Sequence, residues 1–118
     1  KLNSSGDVLW TNAFGGTVNT KSKMFSKVNS NEYISVCSQI DYSSNTSNTW
    51  MIKIDDEGKI IWEKTFGKRG QDDGFSAIPT FDGGFIFTGR SNSSVNDGGN
   101  FFDLWLLKTD PGGYSKFN

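Results

Sequence analysis

Apolar residues in this chain come in short runs set apart by glycine- and Asx-rich breaks. Residues 59–66 (KIIWEKTF) are β-branched and aromatic, are bounded by glycines, and predict a strand. Residues 75–80 (FSAIPT) predict a second strand, whose end Pro79 places at a sheet margin. Asp82-Gly83-Gly84 is a turn signal, 85–90 (FIFTGR) a third strand and 103–109 (DLWLLKT) a fourth, and Pro111-Gly112-Gly113 closes with another tight turn. The first half runs in parallel: DVLWTNAF (7–14), MFSKV (24–28), EYISVCS (32–38) and TWMIKI (49–54) read as strands, with Asp56-Glu57-Gly58 as the closing turn. No segment carries the 3.6-residue period of a helix, so the chain reads as all-β.

Alternation within these strands says which faces are covered. TWMIKI puts Trp50, Ile52 and Ile54 on one face and Met51 on the other; DLWLLKT sets Trp105 and Leu107 against Leu104 and Leu106. Strands that are apolar on both faces belong to sheets covered on both sides.

The two halves are copies. KLNSSGDVLWTNAFG (1–15) aligns with KIDDEGKIIWEKTFG (53–67), placing Gly6 on Gly58, Trp10 on Trp62 and Phe14 on Phe66 at an offset of 52. KTDPGGYSKFN restarts the motif, with Lys108 on Lys53, Gly113 on Gly58 and Phe117 on Trp62. Periods near 50 residues mark arrays of supersecondary units. The expected division is repeat 1 over about 1–52, repeat 2 over about 53–107 and the start of a third over 108–118. Four-stranded sheets stacked face to face around an axis satisfy the two-sided pattern. The expected fold is therefore two four-stranded antiparallel β-propeller blades, a partial propeller or part of an assembled ring; a small sandwich of the two repeats' sheets is the alternative. Two blades cannot close a ring, so the open ends call for further blades, from the same parent chain or from copies of itself. If the strands are antiparallel neighbours, the long connections 15–24, 39–48, 67–74 and 91–102 share one side, where repeat proteins vary and bind.

Composition narrows the chemistry. Net charge is −1 with no basic block, which argues against nucleic acid, and no apolar run is long enough for a helical membrane span. Histidine is absent, which removes the commonest general base and zinc ligand and any Ser-His-Asp arrangement within the chain. A single cysteine, Cys37, excludes an internal disulfide and reads as a buried, inert thiol. Asn3, Asn45 and Asn92 match the glycosylation acceptor pattern, which arises easily in an Asn/Ser-rich chain. The start at Lys1 without an initiator Met suggests a piece or a processed product.

KIDDEGKIIWEKTFG, followed by DDGFSA, DGGFIFTGRS and DLWLLKTD, resembles the repeats of secreted and cell-surface β-propellers of bacteria and archaea. The first copy departs from that pattern at Asn31-Glu32, where the second has Asp82-Gly83-Gly84, and at Cys37, where it has Gly89. The resemblance implies an extracellular or cell-surface prokaryotic module and leaves the activity open. Asp55-x-x-Gly58-x-x-x-Trp62 is also similar to the tryptophan-docking motif of quinoprotein-type propellers, which implies a structural role for Trp10 and Trp62 between neighbouring blades. Trp50, Trp105, Phe14 and Phe66 are expected to join them there.

Candidate chemistry is sparse. Asp72-Asp73 could offer oxygens to calcium or one could act as a general acid, against the favoured reading of a solvated acidic turn or a side-chain cap for the next strand; Asp97, Asn100 and Asp103 sit in a loop where oxygen ligands alternate with glycines. Asx and glycine are equally what tight loops require. Arg90, at the root of a long loop, reads as a carboxylate or phosphate ligand toward a central channel or, in the blander reading, as an ion pair with a neighbouring blade. Lys68-Arg69 reads as a solvated basic tip. No catalytic residue and no resident cofactor are expected, with calcium the one metal candidate. The leading expectation is a non-catalytic module for binding or adhesion to a glycan or protein. A self-assembling building block and a fragment of a propeller enzyme (a quinoprotein dehydrogenase or glycoside-acting hydrolase) are the alternatives.

Overall fold

The computed structural model describes residues 1–93 and 101–116. The described residues form seven strands and no helix: β1 (Asn19–Asn29), β2 (Glu32–Asp41), β3 (Thr46–Asp55), β4 (Ile60–Phe66), β5 (Asp72–Pro79), β6 (Phe85–Ser91) and β7 (Asp103–Thr109). No helix is long and apolar enough to cross a membrane. Two antiparallel meanders result, sheet one in the order β1-β2-β3-β4 and sheet two in the order β5-β6-β7. Sheet one takes β4 from the second sequence repeat, so the structural unit and the sequence repeat are out of phase. Two four-stranded sheets were expected; the second has three strands among the described residues, and no closed ring is formed.

The strand expected over 7–14 does not form. Residues 7–10 pair back only on residues 1–3, through a Leu2–Val8 bridge and the Leu9 amide to Lys1 O at 2.9 Å, and the segment lies against sheet one with Trp10 and Phe14 on its outer cluster. With no strand of either sheet beside it, this short N-terminal turn and the side-chain contacts set its path. Elsewhere the expected strands are present, and β1 and β5 begin earlier than their apolar runs do.

Sheet one packs face to face on sheet two. Ile34, Val36, Met51 and Phe66 from sheet one and Ala77, Phe85, Phe87 and Leu107 from sheet two make one buried cluster. Phe66 meets Phe87 with ring centroids 5.3 Å apart, and Trp105 stands edge-on to Phe87 at 5.1 Å. Each fully buried phenylalanine contributes roughly 2–3 kcal/mol through removal from water. The close approach has a sequence signature at Gly74: a Cβ there would fall 2.4 Å from Thr49 Cγ2 and 2.8 Å from Val36 Cγ1. Trp50, Ile52, Ile54 and Cys37 point the other way, into a second cluster on the outer face of sheet one.

One hairpin recurs four times among the described residues, one copy being Thr80–Gly84, where the Gly83 amide donates to Thr80 O at 2.9 Å and the Thr80 amide to Gly84 O at 2.8 Å. Asn3, Asp55 and Asp110 each accept the amide of a glycine three residues on (Gly6, Gly58, Gly113), at 3.0–3.1 Å. Each also donates its own amide to the carbonyl four residues on, at 2.8–2.9 Å. The glycines have φ of +87°, +82° and +80°, a conformation that costs an L-residue about 1 kcal/mol or more.

Candidate functional site

The antiparallel order sends the start of β1, the β2–β3 and β4–β5 connections, the end of β6 and the start of β7 to one edge, and the Asx-Gly hairpins to the other. Two carboxylates tie the loop edge together. Asp72 and Asp73 open β5, and both are buried. Asp72 accepts the Lys68 amide at 3.0 Å and the hydroxyls of Ser91 and Ser93. Its backbone carbonyl takes the Thr49 hydroxyl at 3.0 Å, which joins the two sheets. Asp73 accepts from Ser47 Oγ at 2.9 Å and from Arg90 Nε and Nη2, both at 3.2 Å. Backbone contacts complete the edge: the Ser47 amide donates to Gly70 O at 3.0 Å and the Asn92 amide to Gln71 O at 3.1 Å.

This arrangement assigns Asp72 and Asp73 to structure. Their oxygens already hold hydroxyl, amide and guanidinium donors, and a buried carboxylate satisfied in this way holds its neighbours in place. Asp103 begins β7, paired in register with Ser91, and is exposed. Asp97 and Asn100 lie outside the described residues. No cluster of three or more His, Cys, Asp or Glu side chains that could hold a metal occurs among the described residues. Arg90 pairs with Asp73 across β5 and β6 of its own sheet, where a partner in a neighbouring sheet was expected. Its guanidinium also lies over the Phe102 ring, 4.1 Å from the centroid. Exposed aromatic rings flank this edge, Tyr42 on the β2–β3 loop and Phe101 and Phe102 before β7.

At the opposite edge the tryptophans are seated on hairpins. Trp10 donates through Nε1 to Asp56 O at 3.0 Å, and Trp62 makes the same bond to Pro111 O at 3.0 Å. Gly58 leaves room for the first ring and Gly113 for the second: added Cβ atoms would lie 2.8 Å and 3.0 Å from them. Trp62 thereby bridges the two sheets, and it also meets Phe85 edge-on at 5.8 Å. Trp50 donates to Glu63 on the adjacent strand at 2.9 Å. Lys1 pairs with Asp56 and Lys108 with Asp82, and each ammonium holds its carboxyl below the ordinary carboxylate range.

A cleft of 390 Å³ opens on the outer face of sheet one, lined by Trp10, Phe14, Phe25, Cys37, Trp50 and Ile52 among others. Cys37 is a free, buried thiol whose Sγ lies 3.6 Å from Ser35 Oγ. The cleft is apolar, and no acid–base pair lines it.

Sequence reasoning placed Asp72 and Asp73 in a loop and missed Ser47, Thr49, Ser91 and Ser93 as their partners. Gly74 was the available signal, since a glycine directly after two aspartates inside a strand marks a close backbone approach. Comparison with protein-family models and with curated proteins finds no match to this chain.

Proposed function

We propose that this chain is a β-propeller-type segment that serves as a non-catalytic extracellular or cell-surface binding module, with a glycan as ligand of its loop edge. The observation that carries the reading is a rigid polar edge rimmed by exposed aromatic rings. The Asp72 and Asp73 networks fix the loop backbones, Gln71 Nε2 donates to Asn45 Oδ1 at 3.1 Å, and Tyr42 and Phe101 stand exposed on loops of the same edge. Sugar rings offer C–H faces for aromatic stacking and hydroxyls for amide side chains, so this pairing of groups suits them. The test is a glycan array probed with the wild-type chain and with Tyr42→Ala and Phe101→Ala. Saturable binding that both variants lose supports the reading. A folded wild-type chain with no signal above background refutes it.

A second reading, a building block that assembles, draws on a different observation. Sheet two turns Ile78, Ile86, Leu104 and Leu106 outward, and all four are exposed. Contiguous apolar exposure of this kind marks an interaction surface.

A further inference from the structure

Building on that second reading, we propose that the partner is another copy of this chain, bound head to tail. The outer face of sheet two and its β7 edge, which carries no further strand among the described residues, would receive in one copy the outer face of sheet one and residues 8–14 of the next.

The chain already contains one such junction. Register shows which positions of the two sheets correspond: Val36 pairs with Met51 as Thr88 pairs with Leu106, and Cys37 with Trp50 as Gly89 with Trp105. Ile86, Thr88 and Leu106 therefore hold in sheet two the places of Ile34, Val36 and Met51, which sheet one buries against its neighbour. Conversely, Trp50, Ile52 and Ile54 hold the places of Trp105, Leu107 and Thr109, whose face sheet two turns inward. Each sheet thus leaves outward the face that its counterpart buries. The exposed leucines are Leu104 at 76% and Leu106 at 62%; on sheet one, Trp50 and Ile52 already lie beneath Trp10 and Phe14, and the open part of that face is the cleft rimmed by Phe25 and Phe14. The proposed contact continues, by one repeat, an interface present inside the molecule.

Residues 8–14 supply an independent argument. Trp10 sits on the Asp55–Gly58 hairpin of sheet one just as Trp62 sits on the Asp110–Gly113 hairpin of sheet two. Trp62 gets there as part of β4, the fourth strand of sheet one; the segment holding Trp10 has the same pose and no sheet of its own. Sheet two has the reverse condition, a β7 edge with no fourth strand among the described residues, beside a 550 Å³ groove lined by Trp105, Leu106, Leu107 and Lys108 among others. An unpaired edge is a template for strand addition. Carrying the β3–β4 register (Trp50 with Thr65, Met51 with Lys64, Lys53 with Trp62) across the repeat pairs Trp105 with Ala13, Leu106 with Asn12 and Lys108 with Trp10 of the next copy. A single placement makes both contacts, because β4 and the buried face of sheet one already engage sheet two together.

Such an interface joins two different surfaces, and copies can add until they close a ring or run on as a filament. Sedimentation of the 118-residue chain tests it. Wild type is expected to show concentration-dependent species above the 13.1 kDa monomer. Leu104→Glu/Leu106→Glu blocks one surface and Phe25→Glu the other; both sites are exposed, and each variant alone is expected to be monomeric. Mixing the two is expected to give a 1:1 complex of twice 13.1 kDa, because each variant keeps the surface that the other lacks. A wild-type chain that stays monomeric up to about 1 mM overturns the proposal. Failure of the folded mixture to associate overturns it too, as does self-association by Phe25→Glu alone. Loss of glycan binding leaves these masses unchanged, so failure of either idea is visible separately.

Discussion

Alanine at Gly58 and at Gly6 imposes the same backbone demand with different surroundings. Both glycines have positive φ, +82° and +87°, in hairpins with the same hydrogen bonds. An alanine in that region costs about 1 kcal/mol. At Gly6 nothing lies within 4 Å of the new Cβ, so the cost stops there. At Gly58 the Cβ would lie 2.8 Å from the Trp10 ring, which must leave its seat. The Trp10 Nε1 bond to Asp56 O goes with it, and a hydrogen bond of this kind is worth about 1 kcal/mol net. Part of the indole's burial is lost as well, at about 25 cal/mol per Å². The expected destabilisation is about 2–3 kcal/mol for Gly58→Ala and about 1 kcal/mol or less for Gly6→Ala. Urea unfolding followed by tryptophan fluorescence reads both, and the Gly58→Ala native emission should shift red as Trp10 meets water. Equal midpoints for the two variants would refute the docking argument, leaving backbone strain as the whole effect.

Two further predictions address the carboxylates. Asp72→Ala removes the acceptor of the Ser91 hydroxyl and the Lys68 amide at a part-buried point, while the Ser93 hydroxyl keeps Arg69 O, so a loss of about 2 kcal/mol is expected in urea unfolding; a cost below about 0.5 kcal/mol would show the network to be dispensable. The hydroxyls of Ser43 and then Ser44 lower Asp41 from its ordinary value to about 2, and Lys108 and then Thr80 lower Asp82. Their folded values lie below the unfolded ones, so this stability is present above about pH 4 and declines as pH falls toward about 2. Asp41→Asn with Asp82→Asn should flatten the urea midpoint across that window, and an unchanged slope would dismiss these pairs as acid-sensitive contacts.

How much was legible depends on the range of the cause. Phe85–Ser91 and Asp103–Thr109 were readable because their apolar runs sit next to turn signals, Asp82-Gly83-Gly84 before the first and Pro111-Gly112-Gly113 after the second. The opposed faces of Trp50 and Met51 followed from side-chain alternation, and the structure puts them in separate clusters. The hairpin glycines were legible from their spacing. Asp72 and Asp73 were misplaced because their burial depends on Ser47, Thr49, Ser91 and Ser93, which converge only when the two sheets meet. Arg90 was assigned a distant partner for the same reason, since the register alone sets it opposite Asp73.

By itself, then, the sequence determined the all-β character, the strand faces and the repeated hairpin, each being local: alternation, β-branching and positive φ need no distant partner. Tertiary structure alone decided that 7–14 forms no strand, that β4 joins the sheet of the preceding repeat, and that the outer face of sheet two is exposed while 7–14 covers part of the outer face of sheet one. Those outcomes depend on which edge is near enough to pair and which face is near enough to cover, and no window of sequence contains that information.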